Sequence, residues 1–323
     1  MTILSNTIFE KFQVRKTRKQ KTSFINFMRG NIPNTKVEEG GLLKSRNIIV
    51  GDVTKADVVY TAHYDTCAKL PFPNFITPKN IPVYLLYNCA IAACLLCLYY
   101  IFFTVLFTII TIIGILNIPV LSPVLAFIAS YLEFLLTPLL LLFLAFLYIG
   151  PANKTTVNDN TSGVITLCEI YDSLTEKERE RVTFVFFDHE ELGMFGSRFF
   201  RKKYKEETKD KLLVNFDCVS SGDTIMLVMS KKAGQKYGTK IKAAYEGNEN
   251  GKKISFESAS KTFYPSDQSG FLHGVGVAAF KESKKFGLYM DKIHTKKDTE
   301  WDERNIEYIA TRSAGLVRIL VNP

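Results

Sequence analysis

Strands interleaved with helices predict an α/β protein: a three-layer sandwich with a mostly parallel, mixed central sheet flanked by helices, and a two-helix transmembrane hairpin inserted into it. Three observations carry that prediction. Short β-branched apolar runs recur between helical stretches, the pattern of sheets built from crossover units. The length, 323 residues, suits one large domain or two modest ones. Finally, between Ile81 and Gly150 the only charged side chain is Glu133. Setting that residue apart leaves the remainder with 41 Lys and Arg against 31 of the chain's 32 acids, a basic soluble domain joined to a membrane segment.

Taken in order, residues 6–28 mix aromatics with the basic run Arg15-Lys-Thr-Arg-Lys-Gln-Lys21. Phe9, Phe12, Phe24, Phe27 and Met28 can share one face of a helix beside that run. Two expectations compete: a segment lying on an anionic membrane surface, or a helix packed on the domain with a solvated basic side. Nucleic acid is not expected as a partner, because no recognised binding motif accompanies the charge. Asn47–Gly51 and Val58–Ala62 read as strands, the second leading into His63-Tyr64-Asp65.

Val83–Leu116 and Val120–Ile149 each exceed the roughly 20 residues needed to span a hydrocarbon core. Asn117-Ile118-Pro119 breaks them into two long helices joined by a tight turn, and Pro123 and Pro138 are expected to kink the second. Their excess length implies tilt, or ends that stand clear of lipid. Glu133 is expensive in lipid, and is expected to face the partner helix or to snorkel. The turn carries no Lys or Arg while both flanks are rich in them, so the soluble domain is expected on the cytoplasmic face.

Beyond the hairpin, Ser162–Asp172, Met194–Glu206, Thr239–Tyr245 and Asn305–Leu320 read as helices. Val182–Phe187, Leu212–Phe216, Ile225–Met229 and Val277–Phe280 read as strands. The six cysteines form no disulfide framework: Cys89, Cys94 and Cys97 lie in the apolar run, and Cys67, Cys168 and Cys218 are widely spaced. That usage suits a reducing compartment. The first residues do not resemble a cleavable signal peptide.

The chemistry concentrates where elements meet. Val182–Phe187 ends in Asp188, Glu190 and Glu191 before a glycine-punctuated helix start, and acids at the carboxyl end of a buried strand sit where open α/β sheets place their sites. Adjacent glutamates permit a division of labour, one binding metal and one acting as general base; the bland alternative is that they cap the next helix. His63 and Asp65 follow a strand and share a side. Asp159 precedes a helix, where an N-cap is the simpler reading. Asp217 ends another strand, and His294 precedes the last helix. Two histidines with these carboxylates suit a pair of zinc ions.

In these residues the chain resembles the co-catalytic zinc aminopeptidase family, which includes bacterial leucyl aminopeptidase and aminopeptidase Y. The matching stretches are Ala62-His-Tyr-Asp-Thr66, Asp159-Asn-Thr-Ser-Gly163, Phe187-Asp-His-Glu-Glu-Leu-Gly193 with Gly196-Ser197, Asn215-Phe-Asp217, Ser266-Asp-Gln-Ser-Gly-Phe271 and Ile293-His-Thr-Lys-Lys-Asp-Thr299. The resemblance implies a zinc exopeptidase-like fold and two zinc ions bridged by Asp159. His63 and Asp217 would complete one ion, Glu191 and His294 the other. Glu190 would be the general base and Asp65 would orient His63. Asp267 would be a structural or substrate-pocket acid, and Tyr264 or Phe263 a substrate-contacting aromatic. His189 and His273 are expected as packed neighbours, Cys67 and Cys218 as small buried residues.

The implied layout is a basic amphipathic segment at 1–46, the first part of the catalytic domain at 47–80, the transmembrane hairpin at 81–150, and the rest of the catalytic domain at 151–323. The hairpin is a departure from the family, which joins His-x-Asp to the bridging acid by a soluble segment. Because His63 and Asp159 must meet, the spans between them must be even in number. The implied activity is that of a membrane-anchored aminopeptidase acting on peptides, with membrane-associated or hydrophobic peptides as attractive substrates. A single-zinc glutaminyl cyclase and a metal-free receptor or scaffold on the same fold are the alternatives. Oligomeric state is not legible.

Overall fold

The computed structural model describes residues 1–116, 121–247 and 251–321; within 121–136 several side chains, that of Glu133 among them, lie outside the description. The expected turn at Asn117-Ile118-Pro119 likewise lies outside the described residues. The chain divides into two compact units, Met1–Ile81 with Pro151–Pro323, and Pro82–Gly150.

The first unit is built on a mixed sheet with nine strands among the described residues. β1 (Thr35–Gly40), β2 (Ser45–Val50) and β3 (Val58–His63) precede the insertion. β4 (Val182–Phe187), β5 (Leu212–Phe216), β6 (Thr224–Met229), β7 (Lys253–Ser258), β8 (Gly274–Ser283) and β9 (Gly287–Tyr289) follow it. Their spatial order is β1-β2-β4-β3-β5-β8-β6-β7, with β9 paired to β8. β4, β3, β5 and β8 run parallel at the centre, in the register His63↔Phe187 and Thr61↔Asn215. That register brings His63, Asp188 and Asp217 to one edge, because each lies at or just past its strand's carboxyl end.

Burial on both faces explains why the central strands are largely apolar. Val58, Tyr60 and Ala62 with Val182, Phe184 and Phe186 face one core. Val59, Val185, Phe187 and Leu213 face a second, under Phe200. A strand covered on both faces reads as continuous apolar sequence. The larger core is closed by α1 (Ile3–Lys11), α2 (Arg18–Asn31) and α5 (Gly163–Ser173), with α9 (Lys231–Tyr245) and α10 (Glu303–Val321) beside them. The smaller core is covered by α7 (Phe195–Lys203).

Several expected boundaries shift. The helix expected at Met194–Glu206 breaks at Tyr204 into α7 and the short α8 (Lys205–Thr208), which follows the four-residue α6 (Glu176–Arg179) in chain order. α9 starts at Lys231, eight residues early, because Ser230 caps it by accepting a hydrogen bond from the Ala233 N–H at 3.1 Å. β8 is ten residues long where four were expected.

The N-terminal segment packs on the domain. It forms two helices, each with a threonine cap, and α2 carries the full Thr17–Gln20 capping box. Ile8, Phe24, Ile25 and Met28 are buried in the larger core, and the Phe24 ring stacks on Tyr64 with centroids 5.5 Å apart. The basic run is not wholly solvated either: Arg15 and Lys21 are buried.

The second unit contains α3 (Ile81–Ile115) and α4 (Leu121–Ile149), the latter continuing through Pro138. α3, with 35 residues and a mean hydropathy of 2.5 over its most apolar stretch, is long and apolar enough to cross a membrane.

Candidate metal centre

The site begins with the seam that closes the insertion. Cys67 and Lys69 lie beside Pro151 and Asn153: the Lys69 N–H donates to the Pro151 carbonyl at 2.8 Å and the Asn153 N–H to that of Cys67 at 3.2 Å. Ala68 and Ala152 form an isolated antiparallel bridge. The chain therefore returns to the place it left, and residues on either side of the insertion come together.

They meet around Asp159. This residue lies in a wide turn, Val157–Ser162, that runs into α5. Gly163 is needed there, because a Cβ would sit 2.3 Å from the Phe216 carbonyl oxygen. The Asp159 Oδ1 atom is 3.3 Å from His63 Nε2, and Oδ2 is 2.9 Å from His294 Nε2. His63 Nε2 is also 3.5 Å from Asp217 Oδ1, and His294 Nε2 3.2 Å from Glu191 Oε2. Two clusters result. The donor atoms of His63, Asp159 and Asp217 lie within 4.8 Å of one another, as do those of Cys67, Glu191 and His294.

The donor set fits zinc. Nitrogen and oxygen ligands about 2.0 Å from a tetrahedral ion stand about 3.3 Å apart, close to the separations seen here. Glu191 Oε1 and Asp217 Oδ1 are buried with no hydrogen-bond partner among the described residues, a condition that a bound cation would relieve. Crowding these acids round the histidines also pushes both imidazoles well above their ordinary pKa, despite burial: Glu190 and Asp159 act on His63, Glu191 on His294. A bound cation would take the place of those protons.

The remaining polar groups hold these side chains in place. The His63 Nδ1 atom lies 3.1 Å from the backbone carbonyl of Asp65 and 3.7 Å from its carboxylate. The main-chain carbonyl of Asp65 is thus the nearer partner of the His63 ring. The Asp65 carboxylate instead accepts the backbone N–H groups of Glu190 at 3.0 Å and Glu191 at 3.3 Å. Despite burial, those bonds and the nearby His63 and Lys21 hold it low, at about 2. Burial raises Glu190 well above the usual carboxylate range, with Asp267, Asp217 and Glu191 adding to the effect and His63 opposing it. Gly196 lets α7 start close under this loop: its N–H donates to the Asp188 carbonyl at 2.9 Å, and a Cβ would stand 2.2 Å from that oxygen.

Other expected residues take different places. The buried Tyr264 donates its hydroxyl to the Asp217 carbonyl at 2.9 Å, so its polar end is committed to the protein. Phe263 is 40% exposed. Asp267 is buried, and desolvation lifts its carboxyl to about 7 against the pull of His63 and Ser197. Asp188 turns away from the centre to pair with Lys21 at 2.5 Å. His189 lies 2.9 Å from the Ser45 hydroxyl, and the His273 ring stands edge-on to Tyr237.

Three contributors escape the sequence reading. The Asp298 carboxylate accepts the N–H groups of Asn158 at 2.9 Å and Asp159 at 3.0 Å, and burial beside Asp159 raises it to about 7. Arg15 donates Nε to the Tyr64 carbonyl at 2.5 Å and Nη1 to the Thr161 hydroxyl at 3.2 Å, while its N–H reaches Thr66 Oγ1 at 3.1 Å. It bridges the turns bearing His63 and Asp159. Cys67 is the third, its sulfur close to Glu191 and His294. Asp298 stands in the matching stretch Ile293–Thr299 and Cys67 two residues beyond Asp65, neither with a role that the sequence assigned, and nothing local marked Arg15.

No curated protein matches the chain in sequence. Among solved structures, the Legionella pneumophila LapA aminopeptidase superposes at a TM-score of 0.54 with 10% identity, over 99% of this chain and 70% of that one. A Zn-dependent exopeptidase from Parabacteroides distasonis gives 0.55 and 13%, over 99% and 96%. Porphyromonas gingivalis glutaminyl cyclase gives 0.57 and 12%, over 97% and 96%. At these identities the likeness is one of fold. The sequence pattern of Peptidase family M28 matches residues 147–316, just over half of the chain and the part that carries Asp159, Glu190, Glu191, Asp217 and His294. The chain belongs to peptidase family M28.

Proposed function

We propose that the chain is a membrane-anchored zinc aminopeptidase that holds two zinc ions and removes N-terminal residues from peptides. The observation that carries this reading is Asp159, whose two oxygens face different histidines, 3.3 Å and 2.9 Å away. In this reading His63, Asp159 and Asp217 hold one ion, and Asp159, Glu191 and His294 the other. Zinc bound there would polarise the scissile carbonyl and lower the pKa of the attacking water to about 7.

The protein groups do the rest. Glu190, its carboxylate kept basic by burial and its acidic neighbours, accepts the water's proton as the C–O bond forms. It returns that proton to the amide nitrogen as the C–N bond breaks. Asp65 fixes the main chain on which Glu190 rides, through the two N–H groups its carboxylate accepts. Tyr264 and Asp267 contribute to the wall of the substrate pocket, Tyr264 by bracing Asp217 from behind.

The apolar insertion acts as the anchor. Its two flanks are stitched together at Ala68 and Ala152, so a chain that enters the bilayer must cross it an even number of times. Two spans, α3 and α4, meet that demand, and the Lys and Arg of the flanks favour the cytoplasmic face. Hydrophobic or membrane-associated peptides are then the natural substrates. Faster hydrolysis of a peptide in bilayers than of the same peptide free in solution would support this; equal rates would count against it.

The test of the activity is hydrolysis of a panel of aminoacyl-arylamides by detergent-purified protein, with and without chelator. Chelator-sensitive release of the arylamine supports the reading. The similarity to a glutaminyl cyclase favours one rival: cyclisation of N-terminal glutamine with no arylamine release would establish that activity instead.

A further inference from the structure

The Cys67 thiol has no role in the reading above, yet it lies beside two of the donor groups. Its donor atom lies within 4.8 Å of those of Glu191 and His294. It is 2% exposed, and it forms no disulfide. Main-chain bonds fix its position from two sides. Its carbonyl accepts from Asn153, and three residues on, the Leu70 N–H donates to the His294 carbonyl at 2.8 Å. The thiol and the imidazole are thus carried by neighbouring, hydrogen-bonded segments.

An independent feature points to an ion at the same spot. The Glu191 side chain is only 7% exposed, with Oε2 3.2 Å from His294 Nε2 and Oε1 without a partner among the described residues. A buried carboxylate oxygen in that state calls for a cation or a donor. The described neighbours offer an imidazole and a sulfur.

Resting on the two-ion reading, we infer that Cys67 is a thiolate ligand of the ion held by Glu191 and His294. Zinc held there would meet one sulfur, one nitrogen and the Glu191 carboxylate, with Asp159 Oδ2 2.9 Å from His294 Nε2. The two sites would then differ in donor chemistry, and the soft thiolate would favour zinc over harder metals at the Cys67 site. Binding releases the thiol proton to solvent, so no redox partner is needed.

Cobalt substitution tests this without relying on activity. Cobalt(II) bound by a thiolate shows a near-ultraviolet sulfur-to-metal charge-transfer band that cobalt bound only by nitrogen and oxygen lacks. Full-length protein in detergent is stripped with chelator and titrated with cobalt, with bound metal counted by elemental analysis. The wild type and Cys218→Ser should show the band; Cys67→Ser should bind cobalt without it. Wild-type protein that binds two cobalt ions with no band overturns the Cys67 assignment and leaves the two-ion reading standing. So does a band that survives in Cys67→Ser. Wild-type protein that binds no cobalt overturns both.

Discussion

The two donor clusters that meet at Asp159 are made differently. His63 and Asp217 sit at the ends of parallel strands, their side chains 1% and 11% exposed. Glu191 and His294 sit on loops, and His294 is 21% exposed with its backbone in the left-handed region at φ 62°. In the first cluster, sheet register places the donors, since β3 pairs in parallel with β4 along its whole length and with β5 from Val58 to Thr61. In the second, placement comes from local bonds: Asp65 holding the Glu190–Glu191 turn, and the Leu70–His294 pairing. The sheet positions donors through many shared contacts, whereas the loops depend on a few nameable groups. Single substitutions should therefore act locally in the loops and resist in the sheet.

Asp159 reaches both histidines, so removing it should give the largest effect. Asp159→Ala should lose metal from both, with activity falling to background and the zinc content measured by elemental analysis of the purified protein. A variant that kept one ion would show that the clusters do not share this carboxylate.

Glu190→Gln should preserve zinc content while turnover falls by roughly 10²–10⁴-fold, the usual contribution of a general base. Steady-state kinetics beside metal analysis checks it. Loss of metal with activity would move Glu190 from the proton-transfer role to the ligand set.

Asp298 couples the loop side to Asp159 by accepting two backbone N–H groups. Asp298→Ala should weaken metal binding by roughly 10–100-fold, as removal of an outer hydrogen-bonding group does. Competition with a chromogenic chelator reads that change. Unchanged affinity would mean the turn around Asp159 is set by Asn158 and Asn160 alone.

Arg15 links the His63 and Asp159 turns from the N-terminal segment. Arg15→Met should destabilise the fold by about 1–3 kcal/mol, the penalty of leaving buried carbonyl acceptors unpaired, seen in denaturant unfolding of the detergent-solubilised chain. Little change would place the N-terminal helices outside the support of the site.

The smallest effect is a pH slope. Asp267 rises from an ordinary 3.8 to about 7 on burial. The folded protein thus keeps a proton that the unfolded chain releases above about pH 4, so stability falls as pH rises from there to about 7. Thermal unfolding of metal-free protein should show that decline, and Asp267→Asn should flatten it. An unaltered slope would assign the decline to other acids.

The same contrast explains what could be read in advance. Strand-end residues such as His63 and Asp217 follow apolar runs whose two-faced burial leaves a plain mark in sequence. β1 and β7 left little: Thr35–Gly40 has one apolar residue, and Lys253–Ser258 is an edge strand whose two apolar residues, Ile254 and Phe256, are no more than half-buried. Arg15, Cys67 and Asp298 act through contacts with residues more than 48 positions away, or through main-chain atoms with no side-chain signature. A membrane-surface helix stayed open as a competing reading of the N-terminal basic run, since burial of Arg15 and Lys21 depends on acceptors elsewhere in the fold.

The central claim, two ions on one shared carboxylate, is tested most directly by the zinc content of the wild type beside Asp217→Ala. Two zinc ions per chain falling to one is the predicted result. A single ion in the wild type, unaffected by loss of Asp217, would contradict it.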